Sequence, residues 1–155
     1  MRKPIPNRTI LFLDIDGVLK TDSDSTPFFT ESCVTELKRI LQEVPDMRIV
    51  ISSSWRERFG LFRVGWFWEH HGLNGDRVID RTPVKPFDSR GVEILDWLNE
   101  VGPMYGVTAT AKFAVLEDEP DWIHPEIPRE NAFICKPESG LTKRLATRLI
   151  RFLNA

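Results

Sequence analysis

Short continuous apolar runs alternate along the chain with longer stretches in which apolar residues recur every three or four positions. Thr9-Ile10-Leu11-Phe12-Leu13 is unbroken and stops at Asp14, and Met47 to Ile51 and Lys112 to Leu116 have the same form. Runs of this length with no polar alternation fit strands covered on both faces in a parallel sheet. Between the first two, Val34, Leu37, Ile40, Leu41 and Val44 follow helical spacing, with Glu31 in the first turn and Pro45 just past the end, which predicts a crossover helix. Val92, Leu95, Leu98 and Val101 repeat the spacing before the third run, with Ser89 as N-cap. Asn131 to Cys135 predicts a further strand and Val78-Ile79 a return strand, while Leu141, Leu145, Leu149 and Leu153 line one face of a last helix. This alternation predicts an α/β, doubly wound, mostly parallel sheet with helices on both faces, as one domain over residues 1–155.

In such sheets ligands bind outside the carboxyl ends of the strands. Here the three clearest strands end in DIDG, SSSWR and EDEPD, so the polar tips converge on one edge. Composition adds little to the pattern and excludes some partners. With 155 residues and 41% hydrophobic content the chain is long enough for its own core, without metals or disulfides. Lys and Arg total 21 against 23 acidic residues, a net charge of −2, so no global field recruits nucleic acid or an anionic membrane, and an anionic substrate must be held locally. Cys33 and Cys135 lack the spacing of a redox or zinc pair and read as free thiols, which points to a cytoplasmic setting. The apolar run after MRKPIPNR ends at Asp14, too short for a signal segment or a membrane span.

Asp14 and Asp16 stand one residue apart at a strand end, where one carboxylate can enter the cleft while the other approaches from the side, and Gly17 permits the tight backbone after them. Asp-Gly alone is a common turn signal; the apolar strand leading into LFLDIDGVL makes it more than that. This stretch resembles the first motif of the haloacid dehalogenase (HAD) superfamily, an apolar strand followed by DxDG(T/V)L. Further motifs of that family have counterparts in order: a hydroxyl residue after a strand at IVISSS, a basic residue before a helix at SRGVEILDWL, and an acidic strand end at AVLEDEPD. With the late GLT, the set resembles a small capless subgroup, the HAD domain of Swiss Army Knife RNA repair-like proteins, over residues 9 to about 145.

The resemblance implies a Rossmann-like HAD fold and a Mg²⁺-dependent phosphatase or phosphotransferase. Asp14 would be the nucleophile that forms an aspartyl-phosphate, and Asp16 the general acid and base. Mg²⁺ would be held by the side chains of Asp14 and Asp118 and the main-chain oxygen of Asp16. Such an ion relieves repulsion of about 4 kcal/mol per pair of charges ~4 Å apart at an effective dielectric of ~20. Ser52, or Ser53 beside it, would bind a phosphoryl oxygen together with Gly17, and Arg90 would supply the fixed cation, with Lys85 its rival for the role. Arginine replaces the family's usual lysine there, a bidentate clamp in place of a point charge. Glu117 departs from the usual Asp-Asp pair and is expected either to support the metal from behind or to point away; Asp121 is expected to contact a metal water or the basic residue.

Only KTDSDSTPFF separates the DxDG segment from the first helix, and 55–81 predicts a helix and a return strand, so little or no cap is expected over the cleft. An open cleft admits a phosphorylated small molecule, a nucleotide or a nucleic-acid end. In WRERFGLFRVGWFWEHHG, Trp55, Phe59, Phe62 and Trp66 share one helical face and Leu61, Val64 and Trp68 another, which fits a helix buried on two sides. The same segment admits a stacking surface of Trp68, Phe67 or His70 with Arg56, Arg58 and Arg63 on phosphates, or a homodimer interface through residues 55–71. Trp97 and Trp122 read as core or rim. The rival to an enzyme is a non-catalytic phosphate-binding or interaction module on the same fold, in which Glu117 and Arg90 mark lost turnover.

Overall fold

The computed structural model describes residues 8–53, 60–85, 88–107, 111–123 and 125–155. Five short strands, β1 (Ile10–Leu13), β2 (Arg48–Ile51), β3 (Val78–Arg81), β4 (Phe113–Glu117) and β5 (Ala132–Ile134), form one sheet in the order β3-β2-β1-β4-β5. Every neighbouring pair is parallel, so the mostly parallel sheet expected from sequence is parallel throughout the described strands.

All four residues of β1 are fully buried because the sheet is covered on both sides. Leu11 and Leu13 point to a core built with α1 (Glu31–Glu43), α2 (Gly60–His70) and α4 (Lys143–Asn154). Ile10 and Phe12 point to the opposite core, which holds Ile94, Trp97, Ile123 and Ile127 from α3 (Arg90–Asp96) and the segments after it. Period-two alternation thus serves both faces of one uninterrupted apolar run. Beyond Asp96 the helix widens into a π-helical turn, Trp97–Val101, within the span the leucine spacing predicts as helix.

Strand ends differ from the sequence expectation by a residue or so. Leu141 falls outside the last helix, because the Thr142 side chain accepts from the Leu145 N–H and starts α4 at Lys143. Trp68 is fully buried and its Nε1 donates to the Asn74 carbonyl, which removes it from any stacking surface; Trp66, on the same helix, is 53% exposed. Trp97 is core and Trp122 half-exposed. Trp55, Arg56, Arg58 and Phe59 lie outside the described residues, as do the side chains of Leu61, Phe62 and Arg63. No described helix is long and apolar enough to cross a membrane.

Strand order reverses at β1, from which β2 and β3 extend one way and β4 and β5 the other. The crevice at such a switch point, outside the carboxyl ends of the strands, is where an open α/β sheet binds its ligand.

Candidate active site at the carboxyl edge of the sheet

Register puts the next row of residues in line. The Asp14 N–H donates to the Leu116 carbonyl at 3.0 Å, that of Ser52 to Leu13 and that of Thr82 to Ile51, both at 2.9 Å. Thr82, Ser52, Asp14 and Glu117 therefore lie side by side at the carboxyl ends of four strands, and all are buried. The Ser52 and Thr82 hydroxyls have no hydrogen-bond partner among the described residues. Buried hydroxyls are rarely left so, because each forfeits about 1–3 kcal/mol. Ser53 is buried as well and does have an interaction.

On the other side of Asp14 the row is acidic. Carboxylate oxygens of Asp14, Glu117 and Asp118 all lie within 4.8 Å of one another. Asp14 Oδ1 accepts the Ile15 N–H at 2.8 Å and faces Arg90 Nη1 at 3.4 Å. The same Nη1 donates to Glu117 Oε2 at 2.9 Å, and Glu117 Oε1 accepts the Asp118 N–H at 3.1 Å. Glu117 is thus neither turned away nor at the cleft surface: it is fully buried and fastens Arg90 to β4.

One guanidinium faces two of these three carboxylates, Asp14 and Glu117. Burial, and then the charge of Glu117, push Asp14 well above the usual carboxylate range, and Arg90 only partly offsets them. Asp118 rises to about 6, through burial and then its contact with Glu117. Burial works against the charge of Arg90, but Glu117 and Asp14 hold it above its ordinary value. A compact set of hard oxygen donors with an uncompensated negative charge is the chemistry that suits a divalent cation such as Mg²⁺.

The loops are shaped to bring these groups together. Gly17 sits at φ +77°, and a Cβ there would come within 2.6 Å of Asp118 Cγ, so a side chain would displace that carboxylate. Gly91 performs the same service on the other wall: a Cβ would come within 2.5 Å of the Ile123 carbonyl, holding α3 and its first residue, Arg90, away from the site. Ser89 caps α3 by accepting from the Val92 N–H. Trp122 completes the setting, its ring centroid 4.8 Å from Arg90 Cζ.

Other residues singled out by sequence lie differently. Lys85 pairs with Asp96 and so faces α3 rather than Asp14. The Asp16 side chain is exposed in the loop after β1, and its carboxylate is outside the acidic cluster. Asp121 is exposed on a single 3₁₀ turn, Pro120–Trp122. Thr82 went unnoticed in the sequence, since only the β2–β3 register brings it beside Ser52. Stacking of Trp122 on Arg90 was likewise invisible, although an aromatic four residues after Asp118 is the kind of signal that could have suggested it.

A parallel sheet of this order, with DxDG at the end of its central strand and a cation and a second acidic strand end beside it, defines a HAD-type domain. More narrowly, residues 10–146 match the family of the HAD domain in Swiss Army Knife RNA repair proteins, and the chain belongs to it. No curated protein and no solved structure matches the chain.

Proposed function

We propose that the domain is a Mg²⁺-dependent phosphomonoester hydrolase that acts through an aspartyl-phosphate on Asp14. The single observation that carries the reading is the position of Asp14: buried at the carboxyl end of the central strand, one oxygen fixed by the Ile15 N–H and Arg90, with Asp118 beside it. Asp14 attacks phosphorus in line with the ester oxygen, the P–O ester bond breaks, and Asp16 gives its proton to the departing alkoxide. Asp16, now a carboxylate, takes a proton from water as that water attacks the phosphoryl group, which releases inorganic phosphate and restores Asp14. Arg90 and the Ser52 hydroxyl meet the charge on the transferring oxygens, and a buried Ser52 hydroxyl with no partner among the described residues suits a donor whose acceptor arrives with substrate. Asp14, Asp118 and the Asp16 main-chain oxygen would hold Mg²⁺, whose charge would favour the ionised form of Asp14 against the burial that raises its pKa. Glu117 and Asp121 take no part in bond making; Glu117 positions Arg90.

The family name supports a nucleotide or a nucleic-acid end as substrate rather than an unrelated metabolite. The test is release of phosphate from an aryl phosphate with and without Mg²⁺, by the native protein and by Asp14→Asn. Metal-dependent turnover lost in the variant is expected; equal release by both would remove the enzyme reading and leave a phosphate-binding module.

A further inference from the structure

On the same edge of the sheet, just past β5, a groove of about 310 Å³ opens between the loop 135–142 and the first turns of α4. Its polar walls are Lys136, Ser139, Thr142, Arg144 and Arg148. Lys136, Arg144 and Arg148 are exposed, and none of them makes an ion pair among the described residues. Arg144 and Arg148 stand four residues apart and so share one face of α4; Arg148 also lies over the Phe133 ring, 5.9 Å from its centroid. In a chain of net charge −2, this is a local concentration of unpaired cations with no carboxylate in its lining.

The groove is physically tied to the acidic site. The Cys135 N–H donates to the Glu117 carbonyl at 2.9 Å, and the Leu141 N–H to the Val18 carbonyl, in the loop carrying Asp16 and Gly17, at 2.8 Å. The β5 end lies two strands from β1, about 10 Å away. An anion held there is separate from one on Asp14 yet within reach of the same extended molecule. An open trough lined by cations fits a repeating phosphodiester backbone better than a compact metabolite, which it would leave largely in solvent.

We infer that Lys136, Arg144 and Arg148 form a second anion site that binds the backbone of a single-stranded nucleic acid whose terminal phosphate lies at Asp14. This rests on the hydrolase reading for the terminal phosphate, but not for the binding itself. The test therefore measures binding first, with catalysis disabled. A fluorescent, 5′-phosphorylated single-stranded oligonucleotide is titrated with Asp14→Asn protein over a range of NaCl concentrations, and again with Arg144→Ala/Arg148→Ala added. Each phosphate contact contributes a slope of about 0.7 to the logarithmic salt dependence for single strands. The added pair is expected to lower the slope by about 1.4 and weaken binding at least tenfold, with Arg144→Lys/Arg148→Lys restoring the slope. An unchanged slope and affinity would overturn the site, whatever the turnover assay gives. In proteins with Asp14 intact, the ratio of kcat/KM for oligonucleotide over aryl phosphate is expected to fall at least tenfold; an equal fall on both substrates would show that the arginines serve the fold and not the strand.

Discussion

Two partly buried arginines, at opposite edges of the sheet, are held in contrary ways. Arg77, near the amino edge, donates to the carbonyls of Met47 at 2.8 Å, Leu41 at 3.1 Å and Val44 at 2.7 Å. It ends α1 by meeting carbonyls that a helix C-terminus leaves free, so that each of its three nitrogens donates to a neutral dipole. Burial, then the like charge of Arg48, lowers its pKa. Arg90, at the carboxyl edge, meets full charges in place of dipoles, and even so leaves the acidic side in excess. Local saturation marks a structural arginine. Unbalanced charge beside buried hydroxyls that have no partner among the described residues marks a candidate functional site.

The sharpest way to break this contrast is to remove Arg90. Arg90→Met is expected to lower kcat by about 10²–10³, as for loss of one transition-state donor, and to destabilise the fold by ~3–5 kcal/mol, because Glu117 is left buried and uncompensated. Adding Glu117→Met should recover most of the stability in a denaturant titration and none of the activity. Recovery of both would mean that the pair is structural. Metal comes next: at a hundredfold excess over its Kd, Mg²⁺ should stabilise the native protein by about 2.7 kcal/mol, with a clear rise in Tm that Asp118→Asn abolishes. A rise retained in that variant would place the ion elsewhere. Arg77→Met should cost roughly 1–3 kcal/mol and leave kcat/KM unchanged below the unfolding transition, the reverse of the Arg90 pattern.

A smaller effect separates two carboxylates. Asp14 is raised by burial, whereas Asp24 is lowered to about 2 from 3.8, chiefly by the Thr26 hydroxyl, then by the Thr26 N–H and the Thr30 hydroxyl. Because the folded value is the lower one, the stability Asp24 lends is present above about 3.8 and is lost as pH falls through about 2. Thermal unfolding from pH 5 to 2 should show native Tm falling more steeply than that of Asp24→Asn; parallel curves would remove the assignment.

Much of this was legible in the chain because it is local. An unbroken apolar run ending at Asp14 specifies both a buried central strand and the position of its carboxylate, and Ser89 announces the helix that Arg90 begins. Lys85 and Arg90 could not be separated that way, since only packing shows Lys85 taken up by Asp96. Glu117 was ambiguous for the same reason: its role is set by a partner 27 positions away. The helical spacing that groups Trp68 with Val64 on a buried face is borne out, since both are buried; the exposed ring is Trp66, which lies against His70 and Phe28, with ring centroids 5.5 and 6.4 Å away. The basic groove joins Lys136 to a helix that begins seven residues later, so no spacing rule could have found it.

The central claim is that Asp14 carries the phosphoryl group. Native protein mixed with excess phosphorylated substrate and Mg²⁺, quenched with hydroxylamine and digested, should yield the hydroxamate of Asp14 in the peptide spanning β1, found by mass spectrometry and missing in Asp14→Asn. Steady phosphate release with no modification at Asp14 under the same conditions would contradict it.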